Sequence, residues 1–346
     1  MSSRKPLRPF GRGSGSKTLT PLRGALIGFG QVAEKAHVPA YRRDERFVLA
    51  AVVDSSAERR TAAENLVFGL KAYASLDELY AAEPALDFVD IATPPHLHAA
   101  QALDALERGL HVLCEKPLTF STAELNALEA AAKKNRRSVI PIHNWKYAPL
   151  FLKLAELLDL KTIGKIRHTE WHVLRTKPAV TAAAKNAKGN WRTDPRSAGG
   201  GILMDHGWHA FYLIGGIARR APNEVHGVLR GPKGAEEEAV CLVTYPESTA
   251  SVRLTWRADT RRNHGAVYGE KGRIDILDDR LSVIRGAGDP GTHYVFPEPL
   301  SAGSAHPEWF AGSLDEFHAA ISGEKRARSA FEEARDCRFL LDRLYA

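Results

Sequence analysis

Cysteine is scarce: Cys114, Cys241 and Cys337 are the only three in 346 residues. Thiols so few and so scattered exclude a disulfide framework and a cysteine-based zinc site, and leave a reducing cytoplasm as the expected compartment. Long apolar runs are missing too, and none is of the length needed to cross a bilayer. Acidic residues are absent from residues 1–23, which carry Arg4, Lys5, Arg8, Arg12, Lys17 and Arg23, so six of the seven formal excess positive charges lie in this tail. The remaining body is close to neutral, which removes the argument for nucleic acid as a partner. The tail is rich in Ser, Gly and Pro without apolar periodicity, the composition of a disordered segment. It has neither an apolar h-region nor an adjacent arginine pair, so a secretory leader is not expected, and only its basic, acid-free character speaks for a transit peptide. Internal repeats and heptads are absent as well.

The rest is an ordinary globular mixture, 44% apolar and 26% charged, and is long enough for two domains with their own cores. The first structured piece is Gly24-Ala25-Leu26-Ile27-Gly28-Phe29-Gly30-Gln31-Val32-Ala33. Here an apolar strand enters a glycine turn that opens a helix, the context that gives G-x-G-x-x-G/A its dinucleotide-binding meaning. Gly28 permits the tight turn, Gly30 lets backbone approach a pyrophosphate, and Ala33 keeps the helix close to the sheet. The phosphates would meet the free N–H groups of the helix N-terminus. A second strand, Phe47 to Val53, ends in Asp54, where a carboxylate accepts from the adenosine 2′-hydroxyl and repels a 2′-phosphate. That favours NAD over NADP, while Arg59 and Arg60 keep NADP open; a simple turn or N-cap residue is the other reading of Asp54.

An apolar strand from Leu86 stops at Thr93-Pro94-Pro95, because the prolines turn the chain away from both strand and helix geometry. A helix is expected from His98 to Arg108, then a strand from His111 to Glu115 that runs into Lys116-Pro117. Ser121 with Glu124 forms a capping box for a helix to Asn135, and Ser138 to His143 reads as the next strand. Alternating strands and helices predict an α/β fold whose ligands collect at the carboxyl edge of a parallel sheet, where Gly28, Thr93, His96, His98 and Lys116 would lie together. There Lys116 either hydrogen-bonds a substrate hydroxyl, transfers a proton, or stands solvated beside Glu115.

The second half opens with an apolar helix, Pro149 to Leu158, and an alternating strand, Lys165 to Arg175. A loop rich in Lys, Ala and Asn follows, either bordering the substrate or forming a solvated insertion. Asp205 and His209 are four apart, so a helix would put them on one face, where the acid can orient the imidazole for proton transfer. An N-cap acid and a core histidine are the structural alternatives. Six short alternating runs, from Glu224 to Arg285, predict an antiparallel meander within a larger sheet. Trp309 to Ile321 and Phe331 to Leu344 read as closing helices.

Gly28-Phe29-Gly30-Gln31-Val32-Ala33, the strand ending in Asp54, Thr93-Pro94-Pro95-His96-Leu97-His98, Glu115-Lys116-Pro117, His143-Asn144, and Asp205 followed by His209 occur in an order and spacing that resembles the Gfo/Idh/MocA oxidoreductases. The resemblance spans nearly all of the chain after the tail. It implies an N-terminal Rossmann domain, residues 24–144, and a C-terminal α+β domain, residues 145–346, with a large, open, mostly antiparallel sheet. It implies NAD or NADP as cofactor, a sugar, cyclitol or related polyol as substrate, and hydride transfer at a carbinol or carbonyl carbon. A cis peptide between Lys116 and Pro117 is part of the same expectation.

By that resemblance Lys116, Asp205 and His209 form the catalytic set, with His209 as acid/base and the other two orienting the reacting hydroxyl. Gly28, Phe29, Gly30, Gln31 and Val32 would hold the dinucleotide together with Asp54, Thr93, Pro94, His98, Glu115 and Lys116. Substrate contacts are expected from Asn144, Trp191, Arg192, His206 and Tyr212. Tyr212 departs from the family, where many members have an acid; the tyrosine loses the charge and adds a ring, so the usual selectivity does not carry over. No metal is expected, and a homodimer or homotetramer is. Two other family activities stay open, a glycosidase that uses NAD as a transient hydride store and a non-enzymatic dinucleotide sensor, though intact Lys116, Asp205 and His209 argue against the sensor.

Overall fold

The computed structural model describes residues 20–179, 191–303, 305–324 and 328–346. The basic tail up to residue 19 and most of the loop before Asn190 therefore lie outside the described residues. The first strand described, β1 (Leu22–Ile27), begins two residues ahead of the expected start. It pairs in parallel with β2 (Phe47–Val53) on one side and β4 (Phe88–Ile91) on the other. With β3 (Lys71–Tyr73), β5 (His111–Cys114) and β6 (Val139–Pro141) these make a six-stranded parallel sheet in the order β3-β2-β1-β4-β5-β6. Every residue of β4 is buried, as a parallel sheet covered on both faces requires of its central strands. The strand order reverses between β1 and β4, and the crevice for a ligand opens there, beyond their carboxyl ends.

The second sheet has eight strands: β7 (Ile166–Leu174), β8 (Glu224–Arg230), β9 (Glu238–Thr244), β10 (Thr249–Thr255), β11 (Arg262–Gly269), β12 (Gly272–Leu277), β13 (Arg280–Ile284) and β14 (Thr292–Val295). Their order is β14-β13-β12-β11-β7-β10-β9-β8, antiparallel except where β7 meets β10. The architecture is thus the expected mixed one, a parallel sheet joined to a large, mostly antiparallel open sheet. Helices Pro149–Asp159 and Trp208–Ala218 cover one face. On β9 this puts Ala239, Cys241 and Val243 in the core and leaves Val240 and Leu242 exposed.

Local signals hold where they are strong. The Ser121–Glu124 capping box is present in full at the start of helix Thr122–Asn135. Helix Pro307–Ile321 returns to the first sheet, where Phe310, Leu314 and Phe317 pack with Tyr41, Phe47 and Phe88. The last helix, Ala330–Tyr345, touches both sheets' helices and buries Cys337, Leu340 and Leu341.

Candidate active site

Gly28 adopts φ +90, and a Cβ there would stand 2.9 Å from Thr93, so this turn needs glycine. Around Gly30 the space is open, its nearest neighbour being Arg59 Nη1 at 3.5 Å from a Cβ position. Gln31 is exposed, Val32 half-buried, and Phe29 sits in the core beneath them. The helix begins at Gln31 and runs into the π-helical turn Ala33–His37; Glu34 N–H is bonded to the Gly30 carbonyl at 3.0 Å, which leaves the N–H groups of Gln31, Val32 and Ala33 at the helix start for an anion. Asp54 lies at the end of β2 facing this turn: its Oδ2 accepts the Phe29 N–H at 2.8 Å and its Oδ1 the Ser56 N–H at 2.9 Å. Each oxygen keeps a lone pair for a further donor. Arg59 donates to the Phe29 carbonyl at 3.1 Å, so a cation also borders this end of the crevice. The arrangement fits a dinucleotide.

Along the same edge, Thr93 Oγ1 donates to Gln101 at 2.6 Å, and Pro94 leads extended into the 3₁₀ turn Pro95–Leu97. His98 is fully buried, with Nδ1 2.8 Å from the Pro117 carbonyl and Nε2 2.9 Å from that of Thr93. Both ring nitrogens face backbone carbonyls inside the protein, and the neutral ring donates to one of them, between the chain ends after β4 and β5. Burial and the nearby Lys116 charge push its pKa down. The Lys116–Pro117 peptide is cis. Glu115 turns inward, accepting the Lys116 N–H at 3.1 Å and lying 3.3 Å from His37 Nε2. His37 Nδ1 in turn lies 2.8 Å from Asp90 Oδ2, so one buried imidazole bridges two carboxylates on adjacent strands. Nothing in the sequence marked His37 or Asp90.

Lys116 donates from Nζ to the Asp205 backbone carbonyl at 2.6 Å and to Asp205 Oδ1 at 3.4 Å. Arg192 Nε stands 3.9 Å from the same Oδ1, and His206 Nε2 3.7 Å from Oδ2. Burial alone would raise the Asp205 pKa, but Lys116, His206 and Arg192 outweigh it and hold the carboxyl far below the usual carboxylate range. Burial likewise drives His206 down to about 3 despite Asp205. A narrow pocket with room for about one water lies here, lined by Pro95, Lys116, Pro117, Trp191, Arg192 and Asp205 among others. The Arg192 guanidinium lies over the Trp191 ring, 4.3 Å from its centroid.

The structure does not pair Asp205 with His209 as their spacing suggested. The segment Leu203–Gly207 is a π-helical turn, which alters the regular face-sharing of an α-helix, and only at Trp208 does the α-helix begin. His209 Nδ1 instead lies 2.8 Å from the Tyr212 hydroxyl, and the ring stacks on Trp145 at 4.7 Å. Burial, helped by Lys116, His206, His143 and Arg175, lowers the His209 pKa well below its ordinary value. Tyr212 is 5% exposed, stacked on His143 at 4.2 Å, and its hydroxyl accepts the Trp145 N–H at 3.1 Å. Asn144 opens the 3₁₀ turn Asn144–Tyr147, half-buried.

Two family models match the chain, an oxidoreductase family with an NAD-binding Rossmann fold over residues 22–143 and the corresponding C-terminal domain over residues 151–275. An oxidoreductase of Formosa agariphila is 32% identical over 79% of this chain and 85% of its own length. A D-xylose 1-dehydrogenase (NADP+) of Hypocrea jecorina is 30% identical over 68% of this chain and 64% of its own. Among solved structures, a levoglucosan dehydrogenase in complex with NADH and levoglucosan superposes with a TM-score of 0.78 at 22% identity, covering 94% of this chain and 96% of that one. With a glycine turn, a cis-proline lysine and an open second sheet in one chain, family models over both domains and a relative 32% identical over 79% of its length, this protein belongs to the Gfo/Idh/MocA oxidoreductases.

Proposed function

We propose that the protein transfers hydride between a nicotinamide dinucleotide and a carbinol or carbonyl carbon of a sugar or polyol, bound at the pocket between Lys116-Pro117 and Trp191-Arg192. The observation that carries the reading is Lys116 Nζ, held by Asp205 at 2.6 Å and lining a pocket at the sheet edge where a dinucleotide fits. The D-xylose and levoglucosan dehydrogenases among the related proteins support a sugar-type substrate.

When bound, the nicotinamide supplies the hydride acceptor or donor. Gly28, Phe29, Gly30, Gln31 and Val32 present backbone to the pyrophosphate, and Asp54 takes the adenosine ribose. Thr93, Pro94, His98 and Glu115 shape the wall beside the nicotinamide half, His98 by holding the backbone. Lys116 and His209 serve the reacting oxygen, and Asp205 keeps Lys116 in place. Trp191 offers a ring face and Arg192 a cation to the substrate, Asn144 and His206 complete its surroundings, and Tyr212 acts from behind His209.

Cofactor choice is tested by thermal melting. NAD or NADH at a hundredfold excess over Kd should stabilise the protein by about 2.7 kcal/mol, with a smaller effect from NADP and NADPH. Loss of that preference in Asp54→Ala would tie it to this carboxylate; a response to the phosphorylated pair alone would transfer the role to Arg59. We further propose self-association through the open face of the second sheet, where Val228 and Val240 lie opposite each other and exposed. Light scattering at micromolar concentration should give a dimer or tetramer, and a monomer there removes the proposal.

A further inference from the structure

We propose that Tyr212 holds His209 in the tautomer carrying its proton on Nε2, so that the ring meets the reacting oxygen as a neutral hydrogen-bond donor. This rests on the functional reading above and divides the proton chemistry between His209 and Lys116.

A phenol has one proton to give and two lone pairs to receive with. The Tyr212 oxygen accepts the Trp145 backbone N–H at 3.1 Å, and its other neighbour is His209 Nδ1 at 2.8 Å. A backbone N–H only donates. The phenolic proton therefore has a single acceptor in reach, Nδ1, and Nδ1 must be unprotonated to take it. With a proton on Nδ1, both neighbours would donate to the oxygen and the phenolic proton would be stranded in the core, at about 1–3 kcal/mol. Burial keeps the phenol protonated by raising its pKa.

A ring protonated on both nitrogens is opposed from every side. Burial acts first, and the groups facing His209 add to it: Lys116 at the sheet edge, His206 and Arg175 on the second domain's side, and His143 beneath Tyr212. The nearby carboxylates are already engaged, Asp205 with Lys116 and Glu333 with His143 at 2.9 Å. Nε2 has no hydrogen-bond partner among the described residues, so it is the nitrogen left for a ligand. Trp145 fixes the device twice, by stacking on the imidazole and by donating to the phenol.

Such a neutral donor stabilises negative charge developing on a substrate oxygen. It does not give up its proton, since that would leave an imidazolate. Proton exchange then falls to Lys116. In the reducing direction a carbonyl carbon receives hydride from the reduced nicotinamide dinucleotide, its oxygen takes one proton from the Lys116 ammonium, and a neutral amine remains for solvent to reprotonate. Oxidation reverses these steps.

The test uses the full-length, ¹⁵N-labelled protein without ligand. Two-bond ¹H–¹⁵N spectra near neutral pH, with the His209 signals identified by their loss in His209→Gln, should show Nε2 protonated and Nδ1 bare. In Tyr212→Phe that signature should give way to a tautomer mixture. An Nδ1–H or doubly protonated ring in the parent protein, or an unchanged signature in Tyr212→Phe, overturns the proposal. This readout needs neither cofactor nor turnover, so it fails independently of the dehydrogenase reading, which nucleotide binding tests. In turnover, His209→Gln retains a donor but takes no proton, and should keep kcat at least about tenfold above His209→Ala. Equal losses in the two variants would sink the donor role.

Discussion

Replacing Lys116 by methionine is expected to lower kcat by about 10²–10⁴-fold while leaving the dinucleotide-induced melting shift in place, because a positioned proton donor contributes on that scale. Methionine approximates the length of the lysine stem but offers no proton and no charge. The loss has a second component. Lys116 is the main group opposing the effect of burial on Asp205, so its removal leaves that carboxylate to Arg192 and His206 at 3.9 and 3.7 Å. Lys116→Arg should not rescue turnover, since a planar guanidinium cannot occupy the place of a compact ammonium between the Asp205 carbonyl and carboxylate. The measurement is initial rate on the sugars and polyols that the parent protein turns over, alongside melting with and without dinucleotide. Turnover within a few-fold of the parent would remove Lys116 from the chemistry; loss of the melting shift as well would mean that the lysine holds the cofactor.

The second large effect concerns stability. His37→Leu should cost about 3–5 kcal/mol, the usual consequence of removing one partner from a buried ion pair. Both His37 and Asp90 side chains are fully buried, and Glu115 has only a sixth of its surface exposed, so leucine would strand two carboxylates. Burial pulls the His37 pKa down, but the charges and hydrogen bonds of Asp90 and then Glu115 prevail and raise it to about 9. A raised imidazole stabilises the fold fully below its unfolded pKa, near 6.5, and this contribution is lost as pH climbs through 9. On the order of 3 kcal/mol is at stake over that window. Urea unfolding at pH 6.5 and pH 9.5 should therefore show a larger decline in the parent than in His37→Leu. Equal declines would mean that the imidazole is not charged in the folded protein. A double variant, His37→Leu with Asp90→Leu, should recover part of the loss, because the stranded charge goes with it.

The sequence by itself determined the local frame. Buried apolar runs ending in Gly28, Asp54, Thr93 and Lys116 identified β1, β2, β4 and β5 and the edge where the site lies, because a strand covered on both faces is built mostly of apolar residues. Alternation bounded by turn residues identified the strands of the second sheet from β7 to β13, and Ser121 with Glu124 announced a helix start, since a cap is a contact three residues long. The short β3 and β14 carried too little pattern to be seen.

Only the tertiary structure decided who pairs with whom in the site. Asp205 and His209 share a helical spacing, yet one turns to Lys116, 89 residues away, and the other to Tyr212. The cause is a π-helical turn that no periodicity encodes, together with segment 143–147 laying Trp145 against the imidazole. Tyr212, read as a departure facing the substrate, became a buried hydrogen-bonding partner. His37 reaches Asp90 and Glu115 across 53 and 78 residues, and helix Pro307–Ile321 returns to the first sheet to pack Phe310 on the same imidazole. Periodicity records which face of an element is buried; the choice of partner for a buried charge depends on distances between elements, which are set only when the whole chain packs.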